Sequence, residues 1–148
     1  MDKKIAYSDF LRLKTIRRLP EIEKENYLKF HSETWKEDLE TSELLLGKNE
    51  RWAVIAGYYA MHNLAKEYIA RKFNLKIDGK FVHAAAVSAL REFSRRDPLS
   101  GELAELLEKA KAGRALSQYY TGKKISSGNA TEFLETVVRA FVKKAGRL

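Results

Sequence analysis

The stretch RWAVIAGYYAMHNLAKEYIARKF, Arg51 to Phe73, reads as one long helix that is apolar almost all the way round. Val54, Ile55, Tyr58, Tyr59, Met61 and Leu64 cover most of its circumference, and Ala65, Tyr68 and Phe73 extend the pattern at helical spacing. A helix of this kind sits at the centre of a bundle or at a subunit interface, because every face needs an apolar partner. Asn63, Glu67 and Arg71 form its one narrow polar strip, with Glu67 and Arg71 a favourable i,i+4 pair. Tyrosine brings a large buried area and a hydroxyl that needs a partner. Three tyrosines on one helix suit an interface better than a dry core, which makes Tyr58, Tyr59 and His62 candidate interface residues. Taken singly, each tyrosine reads as a structural residue, and His62 as a hydrogen-bonded core or interface histidine.

On either side the chain continues in helices. Glu21 to Leu46 carries Leu28, Trp35, Leu39 and Leu46 at helical spacing, and Gly47 can close that helix in a left-handed conformation. Asn49 offers a cap for the central helix, with Glu50 well placed in its first turn. Asn74 to Lys80 reads as a turn punctuated by Asp78-Gly79. A third helix runs from Phe81 to about Phe93, SRRDPLSGE breaks it, and Leu99 to Tyr120 makes a fourth. After the polar loop TGKKISSGN, Asn129 with Glu132 looks like a cap-and-return pair opening a fifth helix that buries Phe133, Leu134, Val137, Val138 and Phe141. Almost no strand signal is present. The predicted fold is all-α, an up-and-down bundle of four or five helices over residues 21–148, with residues 1–20 as a basic arm or a short extra helix.

Composition bounds the function. The chain has 148 residues, enough for one domain with a real core, and no cysteine, which excludes disulfides and thiolate metal sites. No apolar run approaches the roughly 20 residues needed to span a bilayer, and the charged N-terminus is no secretory signal, so the expectation is a soluble cytoplasmic protein without a membrane partner. The net charge of +8 collects at both ends: six basic against two acidic residues over 1–20, and seven against two over 113–148. A basic surface attracts polyanions through phosphate neutralisation, though a Lys-rich surface also serves solubility alone.

Two residues outside the central helix draw a chemical reading. His83 falls in the first turn of the third helix, where the positive end of the helix dipole favours neutral imidazole, the form a general base needs. The bland alternative is a satisfied, half-buried histidine. Arg114 extends the stripe of Leu103, Leu107 and Ala110, so it is either paired with a carboxylate, snorkelling, or aimed at an anion. Tyr119 and Tyr120 follow within two turns, and arginine beside aromatic rings can hold a phosphate and stack a base. Familiar chemistries are missing: the glycines are dispersed and form no phosphate loop, the histidines at 31, 62 and 83 give no metal spacing, and there is no nucleophile elbow. HSETWKED, His31 to Asp38, reads as part of a charged outer face. No cofactor and no metal is expected.

The segments GYYAMHNLAKEYIARKFNLKIDGKFVHAAAVSALREF and GRALSQYYTGKKISSGNATEFLETVVRAFV together resemble a HEPN domain (higher eukaryotes and prokaryotes nucleotide-binding). The likeness rests on Tyr58-Tyr59-Ala60-Met61, Ala65-Lys66, Lys80 to His83, Arg114 with Tyr119, and ISSGNATE, and spans roughly residues 25–145. It implies a helical bundle that commonly forms a homodimer, often beside a minimal nucleotidyltransferase protein in toxin–antitoxin-like systems, with RNA or nucleotide as ligand. It makes Lys80, His83, Arg114, Tyr119 and Tyr120 the candidate binding residues, and His83 and Arg114 the candidates for any catalysis. Many members are metal-independent ribonucleases whose arginine is followed four to six residues later by histidine. Here no histidine follows Arg114. The resemblance therefore points to a non-catalytic nucleotide- or RNA-binding and partner-binding module, with a rearranged ribonuclease site or a purely structural dimer subunit as the alternatives.

Overall fold

The computed structural model describes residues 5–119 and 125–146, with side chains for all of these except 114–119. The architecture is an all-α bundle with one very small sheet. Helix α1 spans Tyr7–Arg12, strand β1 Ile16–Arg18, α2 Glu21–Leu45, α3 Glu50–Phe73, β2 Leu75–Ile77, α4 Val82–Glu92 and α5 Pro98–Tyr119. The C-terminal stretch is helical throughout, α6 Ser127–Phe133 passing through a π-helical turn, Leu134–Val138, into α7 Arg139–Ala145.

The central helix α3 is the hub. It packs along α2 and also touches α4, α5 and the C-terminal helices. Tyr58, Ala60, Met61, Ala65, Tyr68 and Ile69 are fully buried, as an all-round apolar surface demands. At roughly 1.5–3 kcal/mol for each large side chain taken out of water, this helix supplies the largest share of the core. Its ends follow the sequence signals. Gly47 takes φ +81°, the Asn49 side chain accepts from the Trp52 amide at 3.2 Å, and Glu50 reaches back to accept from the Gly47 amide at 2.6 Å. Asn74 closes the helix in the left-handed region.

Gly57 marks a close approach between segments of the bundle. A Cβ there would lie 3.0 Å from Val138 Cγ2 and 3.1 Å from Ser42 Oγ, so α2, α3 and the π-helical turn meet over a bare backbone. Ser42 is itself buried and donates to the Ala53 carbonyl at 2.6 Å.

Three features differ from the sequence expectation. The segment after α3 is more than a turn: β2 pairs antiparallel with β1, Ile16 opposite Ile77 and Arg18 opposite Leu75. The pairing is extended by the Leu19 amide on the Asn74 carbonyl and the Asp78 amide on the Thr15 carbonyl. With Phe10, Ile16 and Leu19 all about 1 % exposed, the first helix and strand are part of the core. The cap of α6 is Ser126, whose hydroxyl accepts from the Asn129 amide at 3.1 Å, so Asn129 is a donor inside the first turn and not the cap. Finally, HSETWKED is not an outer face. His31 is buried, and Trp35, Asp38 and Leu39 are half-buried against α3.

No helix among the described residues is long and apolar enough to cross a membrane.

Candidate functional site

Two polar assemblies lie on α3, one toward α4 and one toward α2. The first begins in the loop between β2 and α4. Gly79 and Phe81 both take positive φ, +92° and +61°. The left-handed conformation is costly for a phenylalanine and persists where the surroundings over-determine it. Thr15, buried beside β1, donates to the Lys80 carbonyl at 2.9 Å and pins the loop from one side. The Lys80 side chain and the Phe81 ring face solvent.

This loop delivers His83 into the first turn of α4, where Tyr58 holds it. The Tyr58 hydroxyl lies 2.6 Å from His83 Nδ1. His62 stacks on Tyr58 and tilts against His83, with ring centroids 4.4 Å apart for the two imidazoles. Tyr59 meets the edge of His83 at 6.0 Å. Tyr58 and His62 are buried by this chain alone, whereas Tyr59 and His83 are half-exposed. The four aromatic residues Tyr58, Tyr59, His62 and His83 thus form one cluster graded from core to surface. The N-cap residue of α4, Phe81, provides no side-chain cap for the helix that opens with His83. Such a terminus carries about half a positive charge and favours anions.

Arg114 and Tyr119 lie in the last turns of α5, but their side chains are outside the described set, and Tyr120 lies outside the described residues altogether. The rearranged site that would join Arg114 to His83 therefore turns on a side chain outside the described set.

The second assembly is the polar strip of α3, whose Asn63 and Glu67 face α2 while Arg71 stays exposed at its edge. His31 Nδ1 lies 2.9 Å from Asn63 Oδ1, and the Asn63 amide donates to Asp38 Oδ2 and to the Tyr59 carbonyl, both at 3.1 Å. Because the Asn63 oxygen can only accept, His31 carries its proton on Nδ1. One turn on, Glu67, 7 % exposed, accepts from the Trp35 indole at 2.8 Å and from Arg71 at 3.0 Å. Burial lowers the His31 pKa below its ordinary 6.5, the Asn63 hydrogen bond opposes this, and the nearby Lys66 charge adds to the lowering. Burial likewise raises Asp38 and lowers Lys66.

Sequence reasoning missed this seam because it read the acids around His31 as surface charge. The available signal was spacing: His31, Trp35, Asp38 and Ser42 fall on the same face as Leu28, Leu39 and Leu46. Among the described residues, no group of three or more histidine and carboxylate side chains converges as a metal site. The chain matches no family model, and no curated protein and no solved structure matches it.

Proposed function

We propose that this protein is a HEPN-like, non-catalytic module that binds a nucleotide or single-stranded RNA at the start of α4 and a partner protein or a second copy of itself along α2. The observation that carries the ligand reading is the Tyr58–His83 hydrogen bond beside an uncapped helix terminus. The phenol fixes one imidazole nitrogen, and the ring is held in the first turn of α4 near the exposed Lys80, a setting suited to a phosphate. Tyr59 adds an aromatic surface within reach of a base. Arg114, Tyr119 and Tyr120 are the further contacts that the family resemblance assigns.

The partner reading is supported by apolar side chains left in water. Ile22 is 91 % exposed, and Phe30 and Leu44 are each 61 % exposed on α2, with Trp52 near the start of α3 at 45 %. By their spacing Ile22, Phe30 and Leu44 share one side of α2, an arrangement that supports an interaction surface there. A homodimer or a minimal nucleotidyltransferase protein are the occupants that the resemblance implies.

Fluorescence polarisation with a labelled single-stranded RNA and with a labelled nucleoside triphosphate tests the ligand reading. Binding should weaken steeply as salt rises, and His83→Ala and Arg114→Ala should each cost tenfold or more, with the RNA intact after prolonged incubation. Absence of binding at low salt sinks the proposal. Metal-independent cleavage abolished by His83→Ala would replace it with the ribonuclease reading. Light scattering tests the second surface: Phe30→Glu with Leu44→Glu should yield a monomer from any homodimer.

A further inference from the structure

A second cavity lies away from the His83 cluster, between the N-terminal helix, α4 and α5. It encloses about 790 Å³, within the range of small-molecule sites. None of the four rings around His83 lines it.

Its walls divide by polarity. Phe10, Ala84 and Val87 give an apolar floor, with Phe10 fully buried beneath it. Ser88 supplies a hydroxyl on the same face of α4. The rim is cationic: Arg91 near the end of α4 and Arg95 in the turn that follows it line the groove together with Lys111 of α5. Two carboxylates also reach the rim, and they decide what charge is left. Glu108 is taken up by Arg91, while Glu92 sits by Tyr7. Arg95 and Lys111 make no ion pair among the described residues. With Arg91 matched by Glu108, Arg95 and Lys111 stand against the single carboxylate of Glu92, and an apolar floor below this net positive rim selects a molecule with the complementary division.

We propose that this groove is a binding site for a small amphipathic anion, an apolar or aromatic body bearing one carboxylate, sulfonate or phosphate. The body lies on Phe10, Ala84 and Val87, and the head group is held between Arg95 and Lys111. Glu92 and Glu108 limit the ligand to a single compact anionic group, since a longer polyanion meets repulsion on the same rim.

Titration of the full chain with 8-anilinonaphthalene-1-sulfonate, followed by its fluorescence, tests this. The expected result is one site per chain, weakened at least tenfold by Ser88→Trp, which fills the groove. The pair Arg95→Glu and Lys111→Glu should weaken it at least fivefold. These two positions lie on the rim, so a thermal melt that matches the parent protein separates lost binding from lost folding. A stoichiometry well above one, unchanged affinity in Ser88→Trp, or indifference to the charge reversals in folded protein overturns the proposal. His83→Ala should leave the dye affinity unchanged, so failure of the nucleotide reading and failure of this one give different patterns.

Discussion

The Tyr58 hydroxyl lies 2.6 Å from His83 Nδ1, so a ring in the middle of α3 ties down the first turn of α4. Tyr58 is fully buried and His83 half-exposed, which places a hydrogen bond across the boundary between core and surface. Tyr58→Phe keeps the ring and deletes only the hydroxyl. It should cost about 0.5–1.5 kcal/mol in denaturant unfolding, the net worth of a part-buried hydrogen bond. Nitrogen-15 chemical shifts of His83 should move in the same variant. An unchanged His83 spectrum would show that the bond does not hold the ring.

Gly57 permits three segments to meet. Gly57→Ala gains helix propensity of about 1 kcal/mol but thrusts a methyl against Val138 and Ser42. Overpacking of this kind costs typically 1–3 kcal/mol, so the expected outcome is net destabilisation. Combining it with Ser42→Ala removes one of the two obstructing atoms. A double-mutant cycle in urea should then show the two changes costing less together than the sum of each alone.

His31 links stability to pH. Its folded-state pKa lies below the 6.5 of an unfolded histidine, chiefly through burial, so the unfolded chain takes up the proton first. The contribution is therefore full above pH 6.5 and diminishes as pH falls below it, down to the folded value. Unfolding free energies at pH 8 and pH 5.5 should differ more in the parent than in His31→Gln. An equal pH slope in both would remove His31 from the account.

Glu67 holds two donors at once, the Trp35 indole and the Arg71 guanidinium. Glu67→Ala leaves the part-buried Trp35 indole without its acceptor, while the exposed Arg71 turns to water, and it should destabilise by roughly 1–3 kcal/mol. Glu67→Gln keeps an acceptor for the indole and should cost less. Trp35 emission reports the event locally: its environment should change in the alanine variant and stay close to the parent in the glutamine one.

Much of this fold was legible in the residues. The long apolar run of α3, the Gly47 and Asn49 signals before it, and the stripe on α2 all point to a helical bundle, because periodicity over many turns averages out local ambiguity. Short elements lack that averaging. A three-residue strand such as Leu75–Ile77 gains its identity from Ile16–Arg18, far away in sequence, and nothing local announces it. Ser126 and Asn129 are both capping residues, and which one caps depends on backbone angles that the side chains alone do not set. Polarity misled at His31 to Asp38, since a histidine and an aspartate can be buried when an asparagine on the facing helix bridges them. Tyr58 and His83 were each visible as residues worth attention, yet their pairing spans 25 positions and arises only from tertiary packing.

The clasp between Ile16 and Ile77 also bears on how the chain reaches its folded state. As synthesis proceeds from the N-terminus, Arg17 and its neighbours emerge long before their ladder partners exist. Phe10, Ile16 and Leu19 must wait with their apolar surfaces uncovered until the polypeptide has grown past Asp78. Closing so wide a loop is entropically slow, so the segment from Phe10 to Leu19 stays uncovered until the hairpin of α2 and α3 has been made.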